Sequence, residues 1–219
     1  MKKKKKISEL DLLTLYMDFV ADHEARPDSV EDFCEKSNLE EEAFYLHFES
    51  FKVMDRQIFS ELFKNSIEVL QESEEFLSFD AKNQLISFYF TFFENLSLNR
   101  AYVKTVLKGC GNQLKFFDTL SQLKKEFSSF TESLGLTDSI LPVESLENIQ
   151  ERIISEGMWL QLVGTIKFWL DDHSETFEKT DIFIEKSINT SFELLENKFL
   201  KNAFDLGKFI LKEKFSKDN

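Results

Sequence analysis

Apolar residues recur at three- and four-residue spacing along most of the chain, the period of amphipathic helices, and a few short polar stretches interrupt them. Over residues 7–23 they fall at Leu12, Leu15, Tyr16, Phe19 and Val20, one face of a first helix. The segment ARPD at 25–28 ends it, because Pro27 lacks an amide donor and disfavours helical backbone at Arg26. Ser29 is placed to cap a second short helix, with Asp32 three residues on and Val30, Phe33 and Cys34 facing inward. Asn38 tolerates the left-handed backbone of a sharp turn. It also suits the cap of a third helix, with Glu41 in the capping-box position, and that helix buries Phe44 and Phe48. Beyond Ser50 the pattern predicts longer helices, over roughly 51–72, 81–97, 99–108, 112–134, 146–171, 177–197 and 200–215.

Composition agrees with the pattern. Six glycines and two prolines in 219 residues are too few for the regular turns of a sheet protein, so the chain is expected to be all-α. Helix, short helix, tight turn and short helix within residues 1–50 make a helix-turn-helix candidate, and 51–219 a larger helical bundle. No fixed-period repeat occurs, which excludes a solenoid. Cys34 and Cys110 stand far apart with no metal-ligand spacing, so neither a disulfide framework nor a zinc site is expected, and a reducing cytoplasm fits. The start MKKKKKISELDLL has a basic head, but Glu9 and Asp11 interrupt the apolar run a signal peptide needs. No apolar stretch is long enough to span a bilayer.

Charge changes the picture. The formal net charge is −13, yet Lys2 to Lys6 are all basic, and 198–217 holds six lysines against Asp205 and Glu213. Two basic ends bracket a strongly acidic body, which disfavours nucleic acid as a partner of the whole surface.

The stretch SVEDFCEKSNLEEEAFYLHFESFKVM, residues 29–54, resembles the TetR family of helix-turn-helix regulators without gaps. Val30, Asp32 and Phe33 match the family's second helix, Leu39 its turn, Phe44, Tyr45, His47 and Phe48 its third helix, and Ser50 and Met54 the handover to the fourth. The resemblance implies a homodimer joined by the last two long helices, about 146–171 and 177–197, and an apolar ligand pocket in the bundle. It also implies DNA contacts at Ser29, Glu41, Glu42, Ala43, Tyr45, His47 and Lys52. The chain departs from the family at the contact positions: Glu40, Glu41, Glu42, Glu49 and Phe51 stand where small or basic residues and a phosphate-binding lysine are usual, with Lys52 one position late.

Those glutamates carry a conflict. At the start of a helix each stabilises it by roughly 0.3–1 kcal/mol through the helix dipole, but the same end is where a phosphate docks on free amides. From Asp28 to Glu49 eight acids face one base, Lys36, and duplex affinity rests chiefly on neutralised phosphates. Lys2 to Lys6 either supply arms into the minor groove or form a solvated tail.

In the bundle, ISFYFTFFENL at 86–96 is aromatic on nearly every side, as in a helix buried all round. By the family's habit it lies beside the ligand, and Phe88, Phe92, Phe116, Phe117, Trp159, Phe168 and Trp169 either line an apolar cavity or fill a core. His173, after Asp171 and Asp172, reads as a histidine at a helix end rather than a metal ligand, and His23 ends a helix. No nucleophile-base pair, acid pair or phosphate loop is present, so no enzyme, metal or cofactor is expected. The tail at 198–217, with Lys201, Lys208 and Lys212 off an apolar stripe, fits either an anionic membrane surface or its own bundle. Two functions are open: a dimeric regulator answering an apolar ligand, or a TetR-fold lipid or quinone binder that has lost DNA and meets a membrane.

Overall fold

A computed structural model describes residues 7–136, 147–196 and residue 206, without the side chains of 147–151 and 196. The basic stretches at 2–6 and 198–217, including the expected helix over 200–215, lie outside the described residues apart from Leu206. The described residues form α-helices and no strand, so the fold is all-α, as expected. The helices are α1 (Glu9–His23), α2 (Val30–Lys36), α3 (Glu41–Tyr45), α4 (Phe51–Gln71), α5 (Glu74–Ser78), α6 (Ala81–Leu98), α7 (Arg100–Lys108), α8 (Gln113–Thr119), α9 (Ser121–Ser133), α10 (Glu147–Asp171) and α11 (Glu178–Glu196). Two compact units arise, one of residues 1–69 and 91–126, the other of 70–90 and 127–219. The expected helix-turn-helix segment, 1–50, falls wholly in the first.

Local chemistry accounts for the elements of the first unit. Ser8 accepts from Asp11 N at 3.1 Å and starts α1, and Ser29 accepts from Asp32 N at 3.1 Å and starts α2. Asn38 turns the chain at φ 53°. The expected cap on α3 is corrected: Glu40 is the N-cap and no side chain caps that end. An N-cap needs extended backbone, which Glu40 has (φ −90°, ψ 140°) and the left-handed Asn38 does not. The unit then closes around Phe33 and Phe44, both fully buried, and α1 packs on α7.

Three further expectations need correction. The helix over 112–134 is two, α8 and α9, broken at Leu120. Beside the break, Arg56 Nε donates to the Asp118 carbonyl at 3.2 Å. The short α5, not expected, starts where Ser73 accepts from Phe76 N at 3.3 Å. The aromatic α6 is not buried all round: Phe88, Tyr89, Phe92 and Phe93 are buried, but Asn83 and Glu94 are exposed and Ile86 and Phe90 half-buried, a polar-edged stripe at helical spacing.

In the second unit, Asp172 organises the passage from α10 to α11. Its carboxylate accepts from Ser174 N (2.8 Å) and Oγ (2.6 Å) and from Thr180 N (2.9 Å) and Oγ1 (2.7 Å). Burial pushes this carboxyl up, and the four donors outweigh it, holding it well below the usual range. His173 lies past the end of α10 with Nδ1 2.8 Å from the Asp171 carbonyl.

Candidate nucleic-acid interface

Aromatic rings hold α1, α2 and α3 to the start of α4. Phe51, read from the sequence as a departure on the contact face, instead turns inward: it stacks on Tyr16 (centroids 5.0 Å apart, 6° between planes) and meets Phe33 and Phe44 edge-on at 5.6 and 5.3 Å. Large rings at these angles fix how α2 and α3 sit on the start of α4.

The outer surface is acidic. Glu40, Glu41, Glu42 and Glu49 are exposed, as are Tyr45 (55%) and Leu46 (62%). Ser29 is engaged as the cap of α2, and Ala43 is half-buried. His47 is half-buried too, its Nε2 3.1 Å from the Ile7 carbonyl, which ties the entry to α1 to the segment after α3. Among the described residues, Lys36 and Lys52 are already paired. Lys36 Nζ lies 2.8 Å from Asp32, and Lys52 Nζ lies 2.9 Å from Asp118 on α8. Asp118 is also held by Arg56, one turn after Lys52. Its carboxyl is drawn below the ordinary range by Lys52 first, against a burial effect, and then by Arg56.

Behind this surface lies a charged group in the core. Asp55 is 2% exposed. Its Oδ1 accepts from Tyr16 (3.1 Å) and Tyr102 (2.8 Å), and its Oδ2 from Arg26 Nε (3.0 Å) and Nη2 (2.8 Å). α1, the α1–α2 loop, α4 and α7 therefore meet at one carboxylate. Burial raises its pKa, and the Arg26 charge and the phenols offset this only in part. The same burial, with the Asp55 charge, pushes both phenols up, so they remain donors. Sequence reasoning passed over this group, although it left a signal: Asp55 is a lone charge on the apolar stripe Phe51, Met54, Ile58, Phe59 and Leu62.

The residues read as pocket lining divide between the units. Phe92, Phe116 and Phe117 belong to the first; Phe88, Trp159, Phe168 and Trp169 belong to the second. Phe88 packs against Phe127 and Phe130 at 5.6 and 5.1 Å, and Trp169 is fully buried near Phe177. Trp159 is buried, whereas Phe168 is 38% exposed and stacked on Phe183 at 4.7 Å. In the first unit Phe92 is fully buried, Phe116 is buried, and Phe117 is half-buried with its ring edge-on to Phe116.

Residues 84–210 match the family model described as the tetracyclin repressor-like C-terminal domain. Comparison with the curated proteins finds no match.

Proposed function

Because the chain belongs to the TetR family, we propose that it is a cytoplasmic, non-enzymatic regulator that dimerises through α10 and α11, takes an apolar small molecule in its bundle, and binds DNA weakly through α2 and α3. The observation that carries this reading is the intact helix-turn-helix scaffold ahead of the matched domain: a capped α2, a left-handed turn at Asn38 and an α3 anchored by Phe44. Ser29, Glu41, Glu42, Ala43, Tyr45, His47 and Lys52 are its proposed DNA-side positions. Of the proposed ligand-side residues, Phe88, Trp159, Phe168 and Trp169 stand in one unit and Phe92, Phe116 and Phe117 in the other, and the aromatic character of each set supports the apolar ligand class.

Support for the dimer comes from the outer face of α10 and α11. Ile153, Leu160 and Phe168 on α10 and Ile182 and Leu194 on α11 are exposed apolar side chains, and the space over Gly157 and Gly164 is open. Phe168, Ile182, Phe183 and Thr190 wall an open apolar groove of about 560 Å³. So long an apolar stripe is suited to burial, and a two-fold axis sets it against its own copy, with the glycines permitting close approach. Leu160→Glu places two carboxylates in that seam, and sedimentation at low micromolar concentration is expected to show monomer where the parent protein shows dimer. An unchanged dimer places the seam elsewhere.

The outward glutamates and the occupied lysines favour a second reading, a TetR-fold lipid or quinone binder that has lost DNA and meets a membrane through residues 198–217. No helix among the described residues is long and apolar enough to cross a membrane. Fluorescence anisotropy with nonspecific duplex at low salt separates the two. The regulator is expected to bind, and silence up to about 100 μM, where nonspecific contacts register, removes that reading.

A further inference from the structure

The first unit contains a recess with charged side chains in its wall. A cleft of about 310 Å³ opens between the start of α4 and the turn joining α7 to α8, walled by Phe51 and Lys52 on one side and by Gly109 and Lys115 on the other, with Arg26 and Asp118 between. It has room for about ten waters' share of liquid volume, the small end of the range for ligand sites.

Its cations are arranged unusually for so acidic a chain. Arg26 is held along one edge by Asp55, through Nε and Nη2. Its Nη1 makes no hydrogen bond among the described residues, and it lies 3.5 Å from where a Cβ on Gly109 would stand. A guanidinium anchored on one edge by a buried carboxylate offers its free N–H donors in a fixed direction, with little left to order on binding. Lys115, exposed and one turn before Asp118 on α8, has no ion pair among the described residues. Lys52 leans on Asp118, which Arg56 also holds, so Asp118 stays partnered when Lys52 turns away. The three cations of the cleft, Arg26, Lys52 and Lys115, outnumber its two acids, Asp55 and Asp118, and leave a net charge of +1. Asp55 is already met by Arg26 and two phenols, and Asp118 by two cations.

From this geometry we propose that the cleft binds a compact anion, a small molecule presenting a carboxylate or phosphate group to Arg26 Nη1, Lys115 and Lys52, with the Phe51 ring as an apolar wall. Such charge-assisted bonds to a preoriented guanidinium are the strong kind. This site is chemically distinct from the apolar ligand of the proposed regulator; it shares Lys52 with the proposed DNA-side positions, whereas Arg26 and Lys115 are not among them. Its occupancy shifts Lys52 from Asp118 to the ligand and loosens the ion pair between the start of α4 and α8.

Inorganic phosphate and succinate, titrated into the full chain against chloride at matched ionic strength, are the probes. Both thermal unfolding and amide NMR shifts are followed. Saturable stabilisation is expected, with shifts centred on residues 109–115 and Arg26. Lys115 is exposed, so Lys115→Ala folds normally; it is expected to weaken binding at least about tenfold, the loss of one charge-assisted contact. Lys115→Arg retains it. Stabilisation no greater than that given by chloride, affinity equal in the parent and Lys115→Ala proteins, or shifts centred away from the cleft each overturn the proposal.

Discussion

Arg26→Ala is expected to cost about 3–5 kcal/mol of stability at neutral pH, measured by urea unfolding, because it removes the one cation that bonds the buried Asp55 carboxylate among the described residues. Asp55 is nearly inaccessible, and the phenols of Tyr16 and Tyr102 that remain are neutral donors. Arg26→Lys retains the charge but not the two-pronged geometry and falls between. The pH dependence identifies the cause. The Asp55 carboxyl already titrates above its ordinary value in the folded protein, and losing Arg26 raises it further. A carboxyl raised on folding favours the folded state most when protonated, and that contribution is lost as pH rises through the folded pKa. The deficit of Arg26→Ala therefore shrinks on acidification. Asp172 behaves oppositely in the same titration. Its carboxyl is held low in the folded state, so its contribution is present above the unfolded value and is lost as pH falls. A deficit below about 1 kcal/mol, the scale of an exposed pair, or one that does not change with pH, contradicts a charged Asp55 in the core.

Glu41→Lys with Glu42→Lys is expected to tighten duplex binding on the order of a hundredfold at low salt, about 1.4 kcal/mol for each reversed charge. Both residues are exposed in the first turn of α3, and the cations flanking them are committed to Asp32 and Asp118. The salt slope should steepen by about 0.9 for each phosphate newly neutralised. Some helix stability is lost, roughly 0.3–1 kcal/mol per glutamate removed from the dipole's positive end. Melting and binding thus move in opposite directions. Affinity that does not change shows that α3 does not face the duplex.

Most of the helices were legible in the order of residues, because apolar spacing and capping are local. Ser29 and Ser8 cap from three residues away, and Asn38 turns left-handed at a position where its own side chain tolerates it. The acidity of α3 could likewise be read from the sequence and survives folding unchanged, since its glutamates remain outside. Phe51 shows the limit. It sits at the family's contact position, yet its ring stacks on Tyr16, a preference that only the assembled core expresses.

The sequence by itself determined an all-α chain, the places where most helices start and stop, and the sign of charge on α3, since each depends on neighbours within a turn or two. Tertiary structure alone decided that Asp55 would gather Arg26, Tyr16 and Tyr102 from 29, 39 and 47 residues away, that Lys52 would be spent on Asp118, and that Arg56 would reach the Asp118 carbonyl beside the break in one expected helix. A buried charge settles on whichever donors the fold brings within bonding distance, and the spacing of residues along a chain does not encode that distance.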